Sequence, residues 1–247
     1  MPLRETEAIV LRTYRLGEAD KIVSLFARQM GRLRAVAAGA RRTKSRYGST
    51  LEPLSYIRLW VFERENRDLL RINSAELLES FFDMQKDYRV QVAAQYVAEV
   101  AEQLLPEREV NERAFRLLMV VLKALKRTGE VNRPLLYFNY WLLRLGGFLP
   151  ELEVCGACGR SMEGLAAFYS EGSENLLCSN CRSQAAKVLS SEVRRIELAF
   201  RGKSLDAWIA EGPPPNGCLE LRHFLEAVVE SHAGKKLLTR PILAAEV

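Results

Sequence analysis

Two hydrophobic periodicities divide this chain of 247 residues. In the first part, short apolar runs rich in β-branched residues are separated by glycines, a pattern typical of β-strands. From residue 81 onward, apolar residues recur every three or four positions, which indicates helices. The predicted strands cover residues 6–14, 21–27, 31–38, 55–62 and 69–73. We therefore expect an α+β protein whose β-rich part precedes its helical part.

The five predicted strands are short enough to close into a small barrel. About five strands in some 75 residues suit an OB-fold or an SH3-like barrel, and the spacing leaves both open. A turn at Glu65-Asn66 separates the last two strands. We expect a small β-barrel domain over residues 1–80 and a helical domain over residues 81–247.

The helical part shows several start and stop signals. One amphipathic helix carries an apolar residue at every fourth position from Val92 to Leu104 and ends at Pro106. A second helix ends near Thr128-Gly129, and Asn132 is predicted to cap a third. Residues 135–145 of that third helix are apolar nearly all round, which predicts the buried centre of a bundle.

Two further helices are expected near the end of the chain. Ser190 is predicted to cap a helix that ends at Phe200. The last predicted helix covers residues 219–231.

Four cysteines carry the clearest chemical signal. They form two Cys-x-x-Cys pairs, Cys155 with Cys158 and Cys178 with Cys181, separated by 19 residues. That spacing is typical of a structural zinc site, in which two tight turns direct four thiolates at one ion. A complete shell of four thiolates leaves no position for a catalytic water. We expect one structural zinc ion in a module at about residues 152–187, with disulfides or free thiols as the alternatives.

The charge distribution points to a polyanion. The net charge is +5, and residues 1–80 hold fifteen Lys and Arg against ten Asp and Glu, so the excess lies there. A confined basic region is the footprint of a nucleic-acid binder, although many charge runs are merely solvated loops. Arg32 and Arg34 should share one strand face, and Arg12 should share a face with Tyr14. The candidate phosphate-binding residues are Arg12, Arg15, Arg32, Arg34, Arg41, Arg42, Lys44 and Arg46.

Aromatic residues lie close to the basic residues in sequence. Rings that stack on bases complete a surface for single strands, since cations alone hold only the backbone. Some of these rings, Phe62 especially, are expected to lie in the core. The aromatic residues concerned are Tyr14, Tyr47, Tyr56, Trp60 and Phe62.

Other classes of function find little support. The sequence has no run of about 18 apolar residues, so we expect no membrane span. The first seven residues carry acids and no apolar stretch, which argues against a signal peptide and favours a reducing, cytoplasmic location. No catalytic motif stands out, and we expect a protein that is not an enzyme.

Several motifs together resemble the RecO family of bacterial recombination mediators. They are Leu16-Gly17-Glu18-Ala19-Asp20-Lys21, Gly31-Arg32, Gly39-Ala40-Arg41-Arg42-Thr43-Lys44-Ser45-Arg46 and Leu51-Glu52-Pro53. The likeness extends through the helical region to the four cysteines. Some members of that family lack the cysteines, and this chain has all four.

The resemblance implies an N-terminal OB-fold, a helical domain and a zinc module. It implies a nucleoid-associated repair protein that binds single- and double-stranded DNA and anneals complementary strands. It also implies action with RecR, contact with the C-terminal tail of single-stranded DNA-binding protein (SSB), and help in loading RecA. The alternatives are a zinc-containing RNA-binding or transcription adaptor, and a metal-stabilised scaffold that binds no nucleic acid.

Overall fold

The computed structural model describes residues 2–62 and 69–245. The predicted Glu65-Asn66 turn lies outside these residues. The described chain has an N-terminal sheet and a mainly helical remainder, so the α+β prediction is confirmed. It divides into two compact units, Met1–Arg116 and Leu117–Val247. The predicted domain boundary after residue 80 stays a prediction.

Five strands of the first unit form a closed barrel in the order β1-β2-β3-β5-β4. All neighbours pair antiparallel except β3 and β5, which are parallel. Alternate residues point inward and fill the barrel with small and branched apolar side chains such as Val23, Leu25 and Ile57. The strands are β1 (Leu3–Leu16), β2 (Asp20–Ala27), β3 (Gly31–Ala37), β4 (Ser55–Phe62) and β5 (Leu69–Ser80).

Two strands are longer than the sequence pattern predicted. The first half of β1 pairs with β4 and its second half with β2, and a bulge between Val10 and Arg12 lies where the pairing changes. The bulge shifts the alternation of inward and outward residues, which hides the full strand from a period-two reading. β5 extends to Ser80 through two irregular positions in its pairing with β4.

The segment between β3 and β4 covers one end of the barrel. Tyr47 and Leu51 from this segment belong to the barrel core, and the Tyr47 hydroxyl donates to the Ile72 carbonyl at 3.2 Å. Phe62, by contrast, alternates with buried Val61 and is only half-buried on the outer face. The prediction that Phe62 is a core residue is therefore wrong, because its place in the strand alternation turns it outward.

Helices complete the first unit. Helix α1 (Tyr88–Leu104) begins at Asp87, whose carboxylate accepts the amides of Arg89 and Val90. It follows a 3-10 turn at Phe82–Lys86. Helix α2 (Glu112–Thr128) begins in this unit, where the ring of Phe115 lies 5.9 Å from that of Phe26 on β2.

The second unit consists of helices that pack around a common core, together with one pair of short strands. Buried residues of α3 include Leu135, Leu136 and Phe138, as the apolar run predicted. The ring of Tyr140 on the same helix packs edge-on against Phe200 at 5.1 Å. The remaining elements are α3 (Asn132–Gly146), β6 (Ala167–Tyr169), β7 (Lys187–Leu189), α4 (Ser191–Phe200), α5 (Leu205–Ala210), α6 (Cys218–Ala233) and α7 (Arg240–Ala245).

Cap predictions in this unit had mixed outcomes. Ser190 caps α4 as predicted, since its hydroxyl accepts the Val193 amide. Asn132 does not cap α3, because the cap position is Val131 and the Asn132 side chain instead accepts from Arg222 at 2.7 Å. The short helices α5 and α7 were not predicted, since six residues give too few turns for a periodic signal.

Candidate metal centre and nucleic-acid interface

The four predicted zinc ligands come together in the second unit. Their sulfur atoms all lie within 4.8 Å of one another. The Sγ atoms of Cys158 and Cys178 are 3.8 Å apart, and none of the five cysteines forms a disulfide. A tetrahedron with Zn–S bonds of about 2.3 Å has sulfur–sulfur edges of about 3.8 Å. The donor set and its spacing therefore fit zinc, and the disulfide alternative does not match this geometry.

Glycines and backbone amides shape the two cysteine turns. Gly159 has a φ of 71°, and its amide donates to the Cys155 carbonyl at 2.9 Å. A Cβ at Gly156 would lie 2.5 Å from the Cβ of Asn175, so this close approach requires glycine. In the second turn the amide of Cys181 donates to the Cys178 carbonyl at 3.1 Å. Glycines and backbone hydrogen bonds therefore shape the turns that hold the four sulfur atoms.

The electrostatics of the cluster favour a bound cation. The backbone amide of Cys178 lies 3.3 Å from the Cys155 sulfur, and this hydrogen bond is the main cause that lowers the Cys155 pKa to about 6. The neighbouring thiol of Cys178 is the main cause that raises the Cys181 pKa to about 12. Four sulfurs at this distance cannot all become thiolates unless a positive ion balances them.

Buried contacts attach the cysteine module to the helices of its unit. The fully buried Arg194 of α4 donates to the carbonyls of Leu189 and Met162 and to the Glu153 carboxylate, at 3.1, 2.7 and 3.0 Å. Tyr169 of β6 stacks edge-on against Phe224 of α6 with ring centroids 5.0 Å apart. The module therefore braces α4 and α6, which is the role expected of a structural metal site.

Part of the basic region holds the barrel together. One guanidinium nitrogen of Arg41 donates to the carbonyls of Gly17 and Glu18, both at 2.9 Å, in the turn between β1 and β2. Arg46 lies over the ring of Tyr47 at 4.9 Å and donates to its hydroxyl at 2.8 Å. These two arginines therefore position the segment that covers the barrel end, and they remain exposed while doing so.

Other basic residues bind partners on α1 and in the segment that follows it. Arg12 and Tyr14 share a face as predicted, since both reach the Glu102 carboxylate, at 3.8 and 3.1 Å. Arg32 is mostly buried and bonds the Leu105 carbonyl at 2.7 Å and Glu107 at 3.0 Å. These internal partners leave Arg32 less free than the others to meet a phosphate.

Arg28 is a further basic residue of the first unit, and acids bind its whole guanidinium. It binds Glu112 at 2.7 Å and Glu7 at 2.8 Å. The hydrogen bond from Arg28 is the main cause that lowers the Glu112 pKa to about 2. Its role is to join the barrel to the start of α2.

Four candidates remain exposed, and their side chains make no ion pair or hydrogen bond with a described residue. They are Arg15, Arg34, Arg42 and Lys44. Arg71 on β5 is also exposed and makes no ion pair or hydrogen bond with a described residue, but the sequence pattern did not mark it as a candidate. The only available signal was its position between the buried Leu70 and Ile72, which indicates an outward side chain.

The outer face of the barrel at β4 has the opposite character. Arg58 is held between Glu5 at 3.5 Å and Glu76 at 3.3 Å. The Trp60 indole donates to the Glu5 carboxylate at 3.1 Å. Among the described residues of this face, carboxylates outnumber free cations, which disfavours phosphate binding there.

Comparison with known proteins identifies the family. Residues 1–81 match the family described as Recombination protein O N terminal, and residues 85–241 match Recombination protein O C terminal. The chain belongs to the RecO family. The DNA repair protein RecO of Koribacter versatilis is 40% identical over 242 residues, covering 98% of both chains. The RecO of Anaeromyxobacter sp. strain K is 30% identical over 237 residues, covering 95% of this chain and 93% of its own.

A third RecO, from Nocardioides sp., is 42% identical over 186 residues, which cover 73% of this chain and 75% of that protein. The predicted family is thus confirmed, and the RecO matches span the barrel as well as the cysteine module. Within the part of the chain that the structure describes, no helix is long and apolar enough to cross a membrane.

Proposed function

We propose that this protein is a recombination mediator. It binds single- and double-stranded DNA, anneals complementary strands and, with RecR, helps load RecA onto SSB-coated single strands. The observation that carries this proposal is the RecO match over both parts of the chain. The protein acts by binding, not as an enzyme, in the bacterial cytoplasm at the nucleoid, and it contacts RecR and the SSB C-terminal tail directly.

The barrel is assigned to the OB-fold class, and the domains to residues 1–80 and 81–247. A five-stranded closed barrel in which β1 pairs with both β2 and β4, while β3 and β5 run parallel, supports the OB-fold over the SH3-like alternative. OB-folds commonly bind oligonucleotides on their outer strands and loops. This agrees with the concentration of free cations on the first unit.

The exposed cations promote the annealing of complementary strands. Arginine and lysine side chains that neutralise phosphates release counterions and reduce the repulsion between two strands held on one surface. Arg15, Arg34, Arg42 and Lys44 provide free charge, and Arg12, Arg41 and Arg46 extend the surface while keeping their internal contacts. Arg32 contributes through the field of its charge more than through direct contact.

Zinc acts in this proposal as a structural ion. Cys155, Cys158, Cys178 and Cys181 would hold it, and its binding free energy would be part of the stability of the second unit. The module's contacts to α4 and α6 transmit that stability to the helices.

The proposal predicts salt-dependent DNA binding without a preference for RNA. For oligo-dT, the logarithm of the affinity should fall with the logarithm of salt concentration with a slope near −3, roughly 0.7 for each of four free cations. Fluorescence anisotropy with oligo-dT, oligo-rU and a DNA duplex, each between about 50 and 200 mM salt, measures this slope.

The same measurement separates the alternatives. Tighter binding of oligo-rU than oligo-dT by a folded protein would favour the RNA or transcription adaptor. Failure to bind any of the three oligonucleotides at low salt would favour the metal-stabilised scaffold.

A further inference from the structure

The strand register defines two rows of side chains on the outer face of the barrel. In the first row, Arg12 lies opposite Ser24, Ser24 opposite Arg34, and Arg34 opposite Leu69. Ser24 is fully buried, so the exposed residues of this row are Arg34 and Leu69. The second row, two residues farther along each strand, contains Tyr14, Ile22, Val36 and Arg71 in the same order. Both rows cross β1, β2, β3 and β5, because side chains two apart on a strand share a face.

Arg34 and Arg71 form a pair across the parallel strands. Arg71 lies two residues beyond the residue opposite Arg34, so ordinary strand spacing places the two Cα atoms about 8 Å apart. Both side chains are exposed, and neither pairs with a described residue. Two long, unpaired guanidiniums at this spacing can reach neighbouring phosphates of one strand.

The surface beside this pair is apolar and aromatic. Tyr14 and Leu69 remain 39% and 36% exposed, and Ile22 and Val36 between them are half-buried. The hydroxyl of Tyr14 donates to Glu102, which holds the ring in place before any ligand arrives. A fixed, exposed ring beside free arginines matches the requirements for binding unpaired bases and their backbone.

We infer that the outer face of β1, β2, β3 and β5 is the single-strand site, with Arg34 and Arg71 on the phosphates and Tyr14 beneath a base. The inference rests on the proposed DNA-binding function and adds Arg71 to it. Single-stranded DNA is favoured over a duplex because the apolar floor can contact only bases that are not already paired. The acid-rich β4 face, with Glu5 and Glu76 around Arg58, is excluded as the site.

A pair of matched variants tests the cation assignment. Arg34→Ala/Arg71→Ala should bind oligo-dT roughly tenfold more weakly and lower the salt slope by about 1.4, two contacts of about 0.7 each. Arg58→Ala/Lys86→Ala removes two cations elsewhere in the same unit and should leave the slope unchanged. Anisotropy titrations at several salt concentrations, with thermal unfolding to confirm that both proteins fold, give the comparison.

A second measurement tests the stacking position without any arginine variant. Photocrosslinking of the wild-type protein to an oligonucleotide that carries 5-iodouracil should modify Tyr14 and spare Trp60 on the β4 face. Tyr14→Phe keeps the ring and loses only the bond that fixes it, so it should bind within about threefold of the wild type, whereas Tyr14→Leu should lose roughly tenfold.

The possible outcomes separate the location of the single-strand site from the proposed DNA-binding function. Equal slopes for the two double variants, or a crosslink at Trp60, would overturn the site while wild-type binding still supported the proposed function. A wild-type protein that bound no single strand would overturn both.

Discussion

A Cys158→Ser protein is expected to lose its zinc and much of the stability of the second unit. Removing one of four ligands leaves an incomplete tetrahedron, and in small zinc modules the metal's binding energy is folding energy. The module also binds Arg194 of α4 through the Met162 carbonyl and packs Tyr169 against Phe224 of α6, so its loosening exposes buried surface. We expect a loss of at least ~3 kcal/mol, or roughly 6–12 °C in Tm for a protein of this size.

The fifth cysteine offers the matched control. Cys218 is buried at the start of α6 and outside the metal cluster. Cys218→Ala should keep one zinc per chain and lose only the ~1 kcal/mol expected for a small cavity. Atomic emission for zinc and thermal unfolding of both variants give the result. A Cys158→Ser protein with wild-type zinc and Tm would contradict the structural role of the site.

The second large effect is expected from Arg42→Glu/Lys44→Glu. Both side chains are exposed and have no partner among the described residues, so reversing them alters charge without breaking a contact. Changing the local charge by four units should slow the annealing of complementary oligonucleotides at least tenfold near 100 mM salt, because the strands lose attraction to a shared surface. Arg41 and Arg46 are left intact, since both position the barrel's covering segment.

A control variant with the same net charge as Arg42→Glu/Lys44→Glu separates the effect of where the charges lie from the effect of total charge. Lys86→Glu/Arg89→Glu changes two exposed cations of the same unit near the start of α1. It should anneal within about twofold of the wild-type rate, since Debye screening confines the effect of exposed charges to about 10 Å. If the two variants slowed annealing equally, the effect would come from net charge and the basic region would have no special role.

The sequence predicted those features that depend on local patterns. Two Cys-x-x-Cys pairs at the right spacing predicted a cluster, and Ser190 predicted a helix start, because each signal is contained in one short stretch of sequence. Short strands with clear alternation, such as Ser55–Phe62, were placed correctly at both ends. The parallel β3–β5 pair could not be predicted in this way, since its partners lie about 35 residues apart.

The remaining features depend on tertiary contacts. Tyr47 and Phe62 are both aromatic residues near basic ones, yet the covering segment buries Tyr47 and the strand register turns Phe62 outward. Whether an arginine is free also depends on distant acids, since Glu107 binds Arg32 whereas Arg34, two residues on, has no such partner in the described part of the chain. Arg71 lies 37 residues after Arg34 in sequence, and only the register shows that the two are neighbours.

The most direct test of the mediator function is annealing of complementary oligonucleotides that are coated with SSB, by the zinc-loaded wild-type protein without ATP. The account predicts annealing well above the rate of the SSB-coated strands alone, and a faster rate at low salt than at high salt. Failure of a folded, zinc-loaded protein to anneal the coated strands at any salt concentration would contradict it.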